Sequence, residues 1–317
     1  VSRSRPDGDQ LTLRVGTNPA RSELVLVPSA PGGTGDGQSD GELRSRTAAP
    51  PQVAPERNAK GTQRMLGILT RPKRVVRVVR QRGLRYVGRR CLLLGRLAVM
   101  ALSDRRRERP FGVHTGGGVA LDQLAIDSDN RGLGFPYVAS PGLVVETLLH
   151  NTTDDLSRFT FVDFGSGKGR VLLMASHHPF HAVIGVEFSP ELHRIAEDNI
   201  RRYTSPAQRC RDIRSVCADA ATFDLPQGDC VLYFNNPFAE PVFTRVLDNV
   251  RAAHERARPK IYVLYQQLAQ DLETDHAENI AVLQRAPFLH EREVRYPSPI
   301  ARFLLASHDL RVFETID

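Results

Sequence analysis

Tryptophan is absent from the 317 residues, and lysine supplies only four of the 43 basic side chains (Lys60, Lys73, Lys168 and Lys260). The first absence removes the broadest stacking platform for bases. The second leaves a basic complement made of arginine, whose planar fork suits bidentate phosphate contact. Cysteine is equally sparse: Cys91, Cys210, Cys217 and Cys230 form no C-x-x-C pair and no short spacing. That excludes a disulfide framework and a structural zinc site, and it suits the reducing cytoplasm. Long apolar runs are missing too. The most apolar stretch, residues 91–102, spans roughly 18 Å as a helix against a hydrocarbon core of about 30 Å. A transmembrane helix is not expected, and peripheral attachment to a membrane is the alternative left open.

Charge is present in both signs but divided along the chain. The formal net charge is +7. Residues 1–60 hold 8 basic and 7 acidic side chains, residues 61–110 hold 15 and 2, and residues 111–317 hold 20 and 27. The basic signal therefore belongs to about 50 residues, and the remaining two-thirds is acidic. Residues 1–60 contain 14 glycines and prolines without a sustained apolar period. A disordered tail is predicted there, because so little apolar surface cannot offset ordering entropy. It carries neither the apolar core of a secretory signal nor the acid-poor composition of a transit peptide. Residues 61–110 interleave arginine with valine and leucine, as in Lys73-Arg-Val-Val-Arg-Val-Val-Arg80. This predicts a basic amphipathic helical segment. It suits an anionic membrane surface, nucleic acid, or a solvated linker whose apolar end caps the next domain.

From Phe111 to Asp317 the pattern is that of one α/β domain. Buried strands are predicted at 159–163, 182–188, 213–218, 229–235 and 260–266, with helices at 170–177, 190–203, 240–256 and 267–275. Ser189-Pro190 supplies an N-cap and a proline at the first helical position. Two last strands, near 291–295 and 301–307, are predicted to pair as an antiparallel hairpin at the sheet edge. Continuous apolar strands alternating with helices mean a doubly wound, mostly parallel sheet.

The chemistry concentrates at strand ends. Asp163-Phe-Gly-Ser-Gly-Lys-Gly-Arg170 places glycines at 165, 167 and 169 after the first strand. Alternate glycines let the backbone approach a ligand, and the following helix turns its amides toward it. Arg170 breaks G-x-G-x-x-G and Gly169 breaks the P-loop pattern. A purely structural strand–helix turn is the bland alternative. Glu187 ends the second strand, Asp219 the third, and Asn235-Asn-Pro-Phe238 the fourth. In open α/β sheets the ligand lies outside the carboxyl ends of the strands. An acid after the second strand suits ribose hydroxyls, and one after the third suits an adenine amino group. Each acid alone is commonly a turn residue. Lys168 is expected to point to solvent. Thr115-Gly-Gly-Gly118 reads as a turn into the domain or a mobile flap, and His177, His178 and His181 as an exposed loop with no metal.

Residues 135–307 resemble the class I, seven-stranded, S-adenosylmethionine-dependent methyltransferases. The resemblance implies a Rossmann-like sheet and S-adenosyl-L-methionine as cofactor, with Asp163, Gly165, Gly167 and Gly169 at its methionine part, Glu187 at ribose and Asp219 at adenine. The wording of the glycine turn is similar to seven-strand protein-lysine methyltransferases. Phe135-Pro-Tyr-Val-Ala-Ser-Pro141 resembles a segment ahead of the first strand in the mitochondrial ATP-synthase-subunit type, with Tyr137 as a lid or cofactor contact. Asn235, Asn236 and Phe238 match [DN]-P-P-[FYW] at all positions but the first proline, replaced by Asn236. They are the candidates for orienting an acceptor amine. The activity implied is N-methylation of a protein amine such as lysine. A nucleic-acid or small-molecule methyltransferase, and a non-catalytic basic adaptor acting through residues 61–110, are the alternatives.

Overall fold

The computed structural model describes residues 72–126, 128–268 and 277–316. The predicted tail at 1–60 lies outside them. The first described element is a helix, α1 (Pro72–Glu108), kinked at Gly83, whose φ of 82° and ψ of 161° are not helical. A two-stranded antiparallel ribbon follows, β1 (Gly118–Val119) with β2 (Tyr137–Val138). Then come α2 (Gly142–Leu149), β3 (Thr160–Phe164), α3 (Arg170–Ala175), β4 (Ala182–Glu187), α4 (Pro190–Arg202) and β5 (Ile213–Cys217). The chain continues through β6 (Cys230–Phe234), α5 (Glu240–Ala257), β7 (Ile261–Leu268), α6 (Ala277–Arg285), β8 (Leu289–Arg292), α7 (Pro299–Leu305) and β9 (His308–Thr315).

Seven of these strands form one sheet in the order β5-β4-β3-β6-β7-β9-β8. β5 to β7 are parallel, and β9 inserts antiparallel between β7 and β8. This is the Rossmann-like doubly wound sheet with an antiparallel C-terminal edge. β3 and β6 are wholly buried, which is why they read as unbroken apolar runs. Alternate residues feed two cores. Phe161, Val183, Val231, Tyr233 and Leu264 face Met100 of α1 and side chains of α2, α3 and α7. Val162, Phe164, Leu232, Phe234 and Tyr265 face α5 and α6. The strand order reverses between β3 and β6, so a crevice opens at their carboxyl ends.

The C-terminus corrects the sequence reading. Residues 301–305, expected in a strand, belong to α7; Ser298 caps it by accepting from Ala301 N at 3.1 Å, with Pro299 at the first position. The final strand lies one segment later, at β9. Gln267 and Leu268, expected to open a helix, extend β7, and residues 269–275 of that expected helix lie outside the described residues.

Candidate functional site at the carboxyl ends of the strands

Asp163 lies in β3 and is 2% exposed. Burial first, and then the neighbouring Glu187 charge, push its carboxyl well above the usual range. The loop after it runs back over β4: Gly165 N and Ser166 N both donate to Val186 O, at 2.9 and 3.1 Å. Gly167 has φ of 55°, and a Cβ there would overlap the Tyr137 ring. A Cβ on Gly165 (φ 78°) would sit 2.6 Å from Pro237 Cβ. These are the positions where only glycine fits.

Glu187 ends β4 and is 3% exposed. Its carboxylate accepts from Gly167 N at 2.8 Å and from Ser189 N at 2.9 Å. Burial still raises it to about 7, against the pull of those amides. Asp219 caps the turn after β5 by accepting from Ala221 N at 2.9 Å. Its other oxygen accepts from Ser128 Oγ at 2.6 Å and Asn130 Nδ2 at 2.8 Å. Burial works to raise Asp219, but the hydrogen bonds from Ser128, Ala221 and Asn130 outweigh it and hold the carboxyl below its usual value.

The chain between β1 and the start of α2 is a strap across these strand ends. Ala125 N donates to Glu191 at 3.1 Å, Phe135 N to Pro237 O at 3.0 Å, and Ala239 N to Leu133 O at 2.7 Å. Tyr137 OH donates to Thr115 O at 2.6 Å while its ring covers Gly167. Beneath the strap a cavity of about 30 Å³ is bounded by Asn130, Gly165, Phe188, Asp219, Pro237 and Phe238. That volume holds about one water molecule. Lys168 does not point to solvent, contrary to expectation. Its ammonium donates to Gly116 O at 3.2 Å and lies 5.3 Å from the Tyr137 ring centre, and burial lowers its pKa. Thr115, at the base of the glycine run, is fully buried.

The Asn235–Phe238 turn divides between the two faces of the sheet. Asn235 donates to Val138 O at 2.9 Å and accepts from Gln266. Asn236 has φ of 39°, and its Oδ1 accepts from Tyr265 OH at 2.7 Å and Asn279 Nδ2 at 3.2 Å. Proline, fixed near −65°, cannot adopt that φ. Asn236 in place of the first proline therefore goes with a different turn. Phe238 is 7% exposed and packs edge-on to Phe234, with Phe243 beside it. It walls the cavity next to Asp219.

The sequence reading missed Tyr265, Gln266 and Asn279, which complete this uncharged cluster. Tyr265 and Gln266 lie near the carboxyl end of β7, so the rule that found Asn235 extends to them. Asn279 had no local signal. Also missed was Arg170, which is 8% exposed. Its guanidinium meets Asp104 at 3.1 Å, Glu108 at 2.7 Å and Thr115 Oγ1 at 2.7 Å. Asp104 also accepts from Gly142 N at 3.1 Å. His177 pairs with Tyr203 OH at 2.7 Å, and His178 lies 3.4 Å from Glu146. No group of three His, Cys, Asp or Glu side chains able to hold a metal occurs among the described residues.

No protein-family model and no curated protein matches the chain. Solved structures of similar architecture include an RNA methyltransferase from Salinibacter ruber in complex with S-adenosyl-L-homocysteine, at 18% identity and a TM-score of 0.36, covering 56% of this chain and 92% of that one. A TehB-like SAM-dependent methyltransferase from Corynebacterium glutamicum is 15% identical, with a TM-score of 0.37 over 55% of this chain and 88% of that one. TrmN from Thermus thermophilus is 18% identical, with a TM-score of 0.38 over 56% and 49%.

Proposed function

We propose that this chain is an S-adenosyl-L-methionine-dependent N-methyltransferase whose acceptor is a neutral amine on a protein, such as a lysine side chain. The observation that carries the reading is the order of features at four successive carboxyl ends: the glycine loop after β3, Glu187 at β4, Asp219 after β5, and the carboxamide turn after β6. The residues fit the cofactor chemically. Side-chain-free backbone at Gly165 and Gly167 would lie along its amino-acid part beside Asp163, the Glu187 carboxylate would accept from ribose hydroxyls, and Asp219 would accept from the adenine amino group once Ser128 and Asn130 release it.

The bound cofactor would supply a methyl group already activated on a sulfonium. The protein's own task is then to dehydrate, orient and deprotonate the acceptor. The acceptor nitrogen would take that methyl group with its lone pair, the sulfur would keep the electron pair of its former bond, and the acceptor's proton would leave to solvent. In the uncharged cluster of Asn235, Asn236, Gln266 and Asn279, the oxygens of Gln266 and Asn279 have no partner, and such acceptors would orient an N–H without the carboxylate that would hold it as ammonium. The acidic balance of residues 111–317 suits a basic protein better than a polyanion.

Calorimetric titration with the cofactor tests the reading. Binding by the intact chain that is lost in Asp163→Ala and Glu187→Ala is expected; no binding, or unchanged binding in both variants, refutes it. Labelled methyl transfer into cell extract, followed by protease or nuclease, tests the acceptor. Label that survives protease and yields to nuclease refutes the protein amine and favours nucleic acid.

A further inference from the structure

The large apolar side chains left in solvent are not scattered. Of the eight exposed among the described residues, four lie on α1 (Leu84 75%, Leu92 46%, Val99 55%, Leu102 52%) and two on α7 (Ile300 71%, Phe303 52%). At 3.6 residues per turn, Leu84, Leu92, Val99 and Leu102 fall within an arc of about 80°. Gly88 and Gly95 share the arc. The core-facing residues of the same helix, Leu93, Met100 and Asp104, lie on the opposite side. α1 is thus apolar on two faces, and one of them is not explained by the fold. Its flanks carry exposed Arg85, Arg89 and Arg105, exposed Arg106 closes the arc itself beyond Leu102, and no acid occurs from Pro72 to Ser103. Arg96 joins the two helices: its guanidinium lies 4.3 Å from the centre of the Phe303 ring and donates to Ser307 Oγ at 3.4 Å.

We infer that α1 and α7 together form a surface that lies in the interface of an anionic lipid membrane. An apolar stripe rimmed by cations matches the acyl boundary beneath negatively charged headgroups, and contiguous exposed apolar patches mark interaction sites. The other occupants fit less well. A nucleic acid backbone rewards the arginines but not four aliphatic side chains held in water. A second copy of the chain would bring two arginine-rich helices together. No helix among the described residues is long and apolar enough to cross a membrane, so attachment is in the plane of the surface. It would hold the methyltransferase domain against the membrane.

Flotation of the full chain with vesicles tests this. Recovery with vesicles of phosphatidylcholine and phosphatidylglycerol is expected, with little recovery on phosphatidylcholine alone and loss of binding as salt rises. The double variant Leu92→Ser/Val99→Ser removes only exposed side chains, and its partition should fall by at least roughly tenfold. Arg85→Glu/Arg89→Glu should fall similarly on anionic vesicles. Circular dichroism and the thermal midpoint of each variant should match the parent. Equal recovery on both vesicle types, undiminished binding by the serine variant, binding to a polynucleotide in preference to vesicles, or a dimer abolished by the serine variant would each overturn the inference.

Discussion

Replacing Glu187 by glutamine should stabilise the protein and weaken its cofactor binding, each in a defined pH window. Glu187 is raised from 4.5 to about 7 by burial. The folded chain therefore keeps a proton that the unfolded chain loses above pH 4.5. Stability contributed by the protonated form is present in full below 4.5, declines as pH rises through 7, and is gone above it. The difference in pKa is worth about 3 kcal/mol at most. The glutamine side chain has no charge to bury, and its carboxamide oxygen can still accept from Gly167 N or Ser189 N. At pH 8 the variant should unfold higher by roughly 5–10 °C for a domain of this size, and at pH 4.5 the two should nearly coincide. Ligand binding should move the opposite way. Ribose hydroxyls donate to the carboxylate, so the parent's affinity should rise as pH climbs through 7, with a proton released. The variant's affinity should be flat in this range and lower at pH 8 by about 1.5–3 kcal/mol, the worth of hydrogen bonds to a charged group. Thermal denaturation and calorimetry across pH 5–8 give both readouts. A variant less stable than the parent at pH 8, or a parent whose stability does not fall between pH 5 and 8, would refute the account of Glu187 as a buried carboxylate kept for a ligand.

Removing residues 1–110 strips Asp104 and Glu108 from Arg170, and a buried charge left alone costs about 3–5 kcal/mol. Cofactor binding and the cooperative thermal transition should both be lost, and an added Arg170→Met should restore part of the transition. Gly167→Ala forces a side chain into the Tyr137 ring at φ of 55°; a loss of about 1–3 kcal/mol by urea denaturation is expected, with abolished cofactor binding. Asn236→Gly keeps the left-handed turn but takes the acceptor from Tyr265 OH and Asn279 Nδ2, so a loss of about 1–3 kcal/mol is expected by urea denaturation, with kcat lower by about tenfold or more. Asn236→Pro cannot adopt φ of 39° and should lose roughly 3 kcal/mol of stability or fail to fold.

What could be read from the sequence follows from how each element is stabilised. β3, β4, β6 and β7 were legible to within two residues because strands buried on both faces leave unbroken apolar runs. Residues 301–305 were misread because a short apolar run has no decisive period. The Ser298-Pro299 pair before them is the same start signal that marked α4 at Ser189-Pro190, and it carries the correct answer. Of the strap only 135–141 was read, by resemblance, with Tyr137 as a lid or cofactor contact. The strap's order comes from tethers to Asp219, Glu191, Asn235 and Pro237, all about 60 or more residues away in sequence, and such contacts leave no local pattern. For the same reason Asp219 looked like a free adenine acceptor, when Ser128 and Asn130 already occupy it.

Arg170 shows how a motif breaker can be informative in its own right. It was evidence only against a dinucleotide fingerprint, because its acidic partners lie more than 60 residues upstream. Yet residues 61–110 hold just two acids, Asp104 and Glu108, four apart on one helix face. Two acids in so basic a segment, at a spacing that aims both the same way, are suited to share one cation. That cation is the first residue of α3, immediately after the glycine loop. The charge changes sign near residue 110, but the packing does not change there. The end of α1 fills the core with Met100 and fixes Arg170 with both acids, while its outer face keeps the apolar stripe and the arginines beside it. The segment that suits an anionic surface and the loop that suits the cofactor are therefore joined by one buried ion cluster.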